Sequence, residues 1–184
     1  MTNVKPSAGN ILIAEPFLGD PNFERSVILI CEHNDLGSFG LVLNQTSNIK
    51  LADMFEEVVL DIPVYVGGPV EHNTLHFIHS LGEVVPNSTN LGNGVFWGGD
   101  FDELKSMINM GKVDISQVRF FIGYSGWGEG QLEGELNKNS WIVAETDADV
   151  VFENDIAQFW RMVMRGLGGE YKVMSNYPTD PRLN

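Results

Sequence analysis

Ser125 follows Gly123 by two residues in the stretch GYSGWGEGQLEGEL (123–136), which also carries Glu129, Glu133 and Glu135. A Gly-x-Ser-x-Gly turn between a strand and a helix exposes a serine nucleophile. Trp127 stands where the last glycine of that turn belongs, and a continuation this rich in glycine starts a helix poorly. A tight glycine turn with Tyr124 and Trp127 packed beside it is the favoured reading. The step from QLEGEL to SWIVAE across NKN then reads as a hairpin, which puts Glu133 and Glu135 on one strand face. Paired carboxylates can do acid–base work or take a hard cation. In a chain this acidic, a solvated acidic face is the stronger alternative.

Two further stretches carry chemistry-bearing residues. In EPFLGDPNFERSV (15–27), Asp20-Pro21-Asn22 is a turn signal, because proline fixes φ and Asp or Asn bonds the local backbone. Phe23 is expected to anchor this loop in the core, and Arg25 to pair locally with Asp20 or Glu24. In CEHNDLG (31–37), Cys31 ends an apolar run, which favours an inert buried thiol over a nucleophile. His33 is better placed, at a strand end beside a polar loop. His72, His76 and His79 lack the H-E-x-x-H spacing of a zinc enzyme, so no metal site is assigned. VYVGGPV lacks the lysine of a phosphate loop and the third glycine of a dinucleotide fingerprint, so no cofactor is assigned either.

These residues need elements to position them. NILIAEP (10–16), SVILICE (26–32) and FGLVLNQ (39–45) are apolar runs rather than alternating ones, so strands covered on both faces are expected. Further strands are read at 62–68, 74–80, 118–124 and 140–146, with a short extended piece at 94–100. Helices are read at 49–58, at 100–111 capped by Asp100, and at 154–169, lined by Ile156, Phe159, Trp160, Val163, Met164 and Leu167. That is an α+β (mixed α/β) domain with about three helices. The length fits one domain over 1–184, with 1–8 as a flexible N-terminal stretch.

Charge narrows the partners. Twenty-five acids against eleven scattered bases give a net charge of −14, which disfavours gripping nucleic acid or an anionic membrane surface. Only Arg161 and Arg165 share a plausible helix face. The longest apolar run, Val27 to Cys31, is far short of the roughly 20 residues of a membrane span. The N-terminus has no apolar core, so no signal peptide is expected, and the single cysteine fits a reducing compartment.

GNILIAEPFLGDPNFERSVILICEHNDLGSFGLVLNQ, VYVGGPVEHNTLHFIHS, RFFIGYSGWGEGQLEGELNKNSWIV and the ending YPTDPRLN together resemble the bacterial YqgE/AlgH family, in order and along the whole chain. The resemblance implies a cytoplasmic bacterial protein with a single compact domain around a mixed, partly barrel-like sheet. It also implies a role associated with transcriptional regulation, with no catalytic set to carry over. Members often carry alanine where this chain has Ser125, a further argument against a serine nucleophile. The expected function is a regulatory or interaction domain that acts through a protein or small-molecule partner and not by direct DNA contact. The alternative is a small-molecule binder or enzyme whose site joins Asp20, Asn22 and Arg25 to His33, Gln131 and Glu133. Arg25 would then hold an anionic group, His33 act as acid or base, and Glu133 polarise a donor.

Overall fold

The computed structural model describes residues 4–179. Residues 1–3 of the expected flexible stretch and the end DPRLN (180–184) lie outside the described residues.

Three consecutive strands start the chain: β1 (Ile11–Ala14), β2 (Val27–Asn34) and β3 (Gly37–Val42). The pair β4 (Thr46–Lys50) and β5 (Pro63–Val66) brackets the single turn α1 (Leu51–Met54). Next come β6 (Val70–His79), β7 (Thr89–Gly92), β8 (Val95–Trp97) and α2 (Phe101–Asn109). The long β9 (Val118–Gly128) leads into α3 (Gln131–Asn137) and β10 (Trp141–Ala144). Three short helices finish the fold: α4 (Ala148–Val151), α5 (Phe159–Gly166) and α6 (Gly169–Met174).

The strands make one ten-stranded sheet in the order β10-β1-β2-β3-β9-β6-β8-β7, with β5 joining β9 and β4 joining β5. Only β5 and β9 run parallel among these pairs. The sheet does not close into a barrel: β10 and β7 end the path unpaired with one another. β9 is its spine. Residues 118–124 pair with β6, residues 120–122 also with β5, and residues 125–128 with β3. Gly67 and Gly123 sit at the hand-over. A Cβ on Gly67 would collide with the Gly123 carbonyl, and Gly123 itself has φ +66°.

The near-continuous apolar runs behave as expected of strands covered on both sides. Every residue of Ile11–Ala14 and of Val27–Cys31 is buried. On one face Ile11, Ile13, Val27 and Leu29 pack with Phe159, Trp160, Val163 and Met164 of α5. On the other, Leu12, Ala14, Ile28 and Ile30 pack with Trp127, Leu132 and Trp141. A third cluster joins α2 to β5, β6 and β9 through Leu104, Ile108, Val64, Phe77 and Phe120. Asp100 caps α2 as expected, accepting from Glu103 N–H at 3.0 Å.

Among the described residues six helices replace the expected three or so. The helix read at 49–58 shrinks to α1, and the one at 154–169 splits into a 3₁₀ turn, α5 and α6. QLEGEL is α3 and not a strand, so Glu133 and Glu135 lie on a helix. Gly134 costs that helix about 1 kcal/mol relative to alanine. Burial of Leu132 and packing of Leu136 against the two tryptophans offset it.

Candidate functional site

The structure separates the expected site into two regions at opposite ends of β2. Arg25 precedes the strand and His33 lies near its far end. Eight residues of extended chain span about 25 Å.

At the far end, His33 and Glu133 do meet, with Nε2 and Oε1 3.7 Å apart. His33 Nδ1 lies 2.7 Å from Ser38 Oγ, its cross-strand partner. A protonated His33 would pair with Glu133, but that carboxylate is half exposed and such a pair is weak. Gln131 is structural: it accepts from Gly128 N–H at 3.0 Å and donates to Glu135 Oε1 at 3.1 Å. Glu135 Oε2 accepts both indole N–H groups, from Trp127 at 2.9 Å and Trp141 at 2.7 Å. This carboxylate knits α3 to β9 and β10.

Ser125 and Cys31 are closed to chemistry. Ser125 is fully buried mid-strand and donates to the Gly67 carbonyl at 3.1 Å. Cys31 is buried, and burial pushes its thiol far above the usual range. The histidines do not converge: His72 bonds the Gly68 carbonyl, His76 the Thr74 hydroxyl, and His79 Ser88. Among the described residues no group of three or more His, Cys, Asp or Glu side chains could hold a metal ion.

The near end is different. Asp20 accepts from Asn22 N–H at 2.9 Å in an exposed turn, and Phe23 packs between Trp127 and Trp141. Arg25 does not pair with Asp20 or Glu24; its guanidinium lies over the Trp160 ring, 4.7 Å from the centroid. Its backbone is left-handed, φ +51°, unusual for a side chain of this size. Asn44 holds that conformation from both sides, donating to the Arg25 carbonyl and accepting from Val27 N–H, each at 2.9 Å. Strain of this kind concentrates at binding sites.

Arg25, Asn44, Trp160 and Arg161, with Glu24 and Gln158 at the sides, line a cavity of about 560 Å³. Burial, then repulsion from Arg161, lowers the pKa of Arg25, while Glu24 opposes the shift. The ion pairs among the described residues are His33–Glu133, Lys50–Asp61 and Lys105 with Glu57 and Asp102, so neither cleft arginine has a carboxylate partner. Arg25 Nε is buried with no hydrogen-bond partner among the described residues. Two adjacent guanidiniums and side-chain amides can hold an anionic group. Asn44, Trp160 and Arg161 were not expected as site residues. The signal in the sequence was Arg161 and Arg165 on one helix face without an acid beside them.

A family model described as AlgH-like matches residues 11–172. A UPF0301 protein of Cytophaga hutchinsonii is 46% identical over 178 residues, covering 96% of this chain and 98% of that protein. One from Parabacteroides distasonis is 43% identical, covering 99% and 93%. Among solved structures, a Corynebacterium diphtheriae protein superposes with TM-score 0.81 at 28% identity, covering 96% and 95% of the two chains. The AlgH protein from Pseudomonas aeruginosa does so with TM-score 0.73 at 28% identity, covering 97% and 98%.

Proposed function

The chain belongs to the AlgH-like family, and from that premise we propose that it is a regulatory binding domain whose Arg25–Arg161 cleft takes an anionic small molecule. The observation that carries this reading is Arg25 itself. It is held in a strained backbone by Asn44, it faces a second arginine, and it has an unpartnered buried N–H. Leaving a buried charged donor unpaired costs free energy, and an anion in the cleft recovers it. The regulatory effect runs through the bound molecule or a protein partner and not through DNA contact, in keeping with the net charge of −14. No helix among the described residues is long and apolar enough to cross a membrane.

The test is thermal unfolding in sodium phosphate and in succinate at constant ionic strength. A ligand at one hundred times its Kd stabilises the native state by about 2.7 kcal/mol. For a domain of this size that raises Tm by about 5–10 °C. Arg25→Gln and Arg161→Gln are each expected to abolish the rise. A rise that survives both substitutions, or no rise in the parent protein, removes the cleft from consideration.

A further inference from the structure

The two cleft arginines are held by the chain's own C-terminal segment. The side-on edge of a guanidinium presents Nε–H and one Nη–H in parallel, matched to two oxygens of one carboxylate or phosphate. On Arg25 that edge is half used: Nη2 donates to the Tyr177 carbonyl at 2.5 Å, and Nε has no partner among the described residues. On Arg161, Nε donates to the Ser175 carbonyl at 3.1 Å. Arg165 Nη2 reaches the Asn176 side chain at 3.0 Å. A peptide carbonyl supplies one neutral oxygen to an edge shaped for two charged ones.

The segment continues from α6, and the Asn176 and Tyr177 N–H groups donate to the Val173 and Met174 carbonyls at 3.1 and 3.0 Å, bonds that any release must break. Ser175 is fully buried, and its N–H donates to the Tyr171 carbonyl at 2.9 Å. Asn176 is exposed and Tyr177 half-buried, stacked on Phe17 with centroids 5.8 Å apart. Resting on the anion-binding reading of the cleft, we propose that Asn176–Tyr177 is a strap hinged at Ser175. It competes with the ligand for the Arg25 edge, and a carboxylate or phosphate that engages both Nε and Nη2 displaces the Tyr177 carbonyl. Ser175 stays and keeps Arg161 oriented as the second cation. Ligand occupancy is thereby read out on the surface as release of the strap.

The test titrates phosphate and succinate, separately, into the full chain and into Phe17→Ala and Tyr177→Ala. Both substitutions weaken the strap's hold and leave the arginines intact. An aromatic pair contributes about 0.5–1.5 kcal/mol, so affinity is expected to rise about three- to tenfold. Tyr177→Phe, which keeps the stack, is expected to restore the parent affinity. NMR cross-peaks between the Phe17 and Tyr177 rings are expected to vanish at saturation. A response to phosphate, to succinate or to both supports the proposal and names the ligand's acidic group. Binding that needs Arg25 but leaves affinity and cross-peaks unchanged overturns the strap and keeps the cleft. Absence of binding in the parent overturns the cleft reading itself, and the strap with it.

Discussion

Arg119 and Arg25 begin from the same chemistry and end as opposites. Each lies over an aromatic ring, Arg119 at 4.9 Å from the Tyr65 centroid and Arg25 at 4.7 Å from that of Trp160. Neither has a carboxylate within ion-pair distance among the described residues. Burial lowers the pKa of both. Arg119, however, is 4% exposed and donates to three carbonyls, of Leu43, Val151 and Glu153, at 3.3, 3.1 and 2.8 Å. It ties the β3–β4 connection to the end of α4 and to Glu153 just beyond it. Arg25 bonds one carbonyl, leaves one N–H orphaned and borders an open cavity. The difference teaches that burial and charge do not separate a structural arginine from one proposed to bind. Satisfaction does.

Substitution is the strongest way to break this contrast. Arg119→Met orphans three carbonyls and is expected to cost about 3 kcal/mol or more. Arg25→Met, which removes one hydrogen bond and a ring contact, is expected to cost about 1 kcal/mol. Urea unfolding midpoints at unchanged m measure both. Equal losses would show that the two arginines do the same work.

Acid sharpens the contrast next, through a satisfied group without charge. His79 is fully buried between Phe77 and Phe96. Its Nδ1 accepts from Leu81 N–H at 3.3 Å, so Nε2 carries the proton toward Ser88 Oγ at 2.8 Å and the Gly98 carbonyl at 3.2 Å. Burial lowers its pKa below the ordinary 6.5, and does the same to His76. The unfolded chain then binds more protons than the native one below about pH 6.5. Stability is expected to be complete above that pH and to fall as pH drops from about 6.5 toward 5. Unfolding curves across that range check it, and a midpoint independent of pH would sink it.

The smallest effect is expected at the far end of β2. Glu133→Gln removes one half-exposed pair and is expected to change stability by under about 0.5 kcal/mol. Phosphate binding is expected to be unaffected, because Glu133 lies beside His33, at the opposite end of β2 from Arg25. A weakened phosphate response in Glu133→Gln would join the two ends of β2 into one site.

Much of the fold was legible, and the reason is local. Apolar runs such as Val27–Cys31 admit few alternatives to a strand covered on both faces. β4 and β7 were missed because they are short and polar, TSNIK and TNLG, and are held by their partners and not by pattern. α3 was misread because its glycines carry the local signal, while the indoles on Glu135 that hold it lie outside the helix. The site was legible in part. Arg25, proposed here as an anion holder, was read as one, but in a single site with His33 and Glu133, of which only the last two meet. The separation of Arg25 from His33 follows from the rise of the strand between them. Arg161 and Asn44 escaped because their role depends on α5 and the end of β3 meeting across the loop before β2.

The spine strand has a consequence for the protein's birth on the ribosome. β9 ends at residue 128 and receives β3, β5 and β6, all of which are made earlier. At 5–20 residues per second, the free edge of β3 waits roughly 4–17 s for its partner to be made. During that interval the apolar strands β1 to β3 stand without their neighbour, the condition under which edges recruit other chains. Pairings this distant in sequence also slow refolding relative to a local meander. The strand that unifies the native sheet is therefore the one whose late arrival sets how long the nascent chain needs protection.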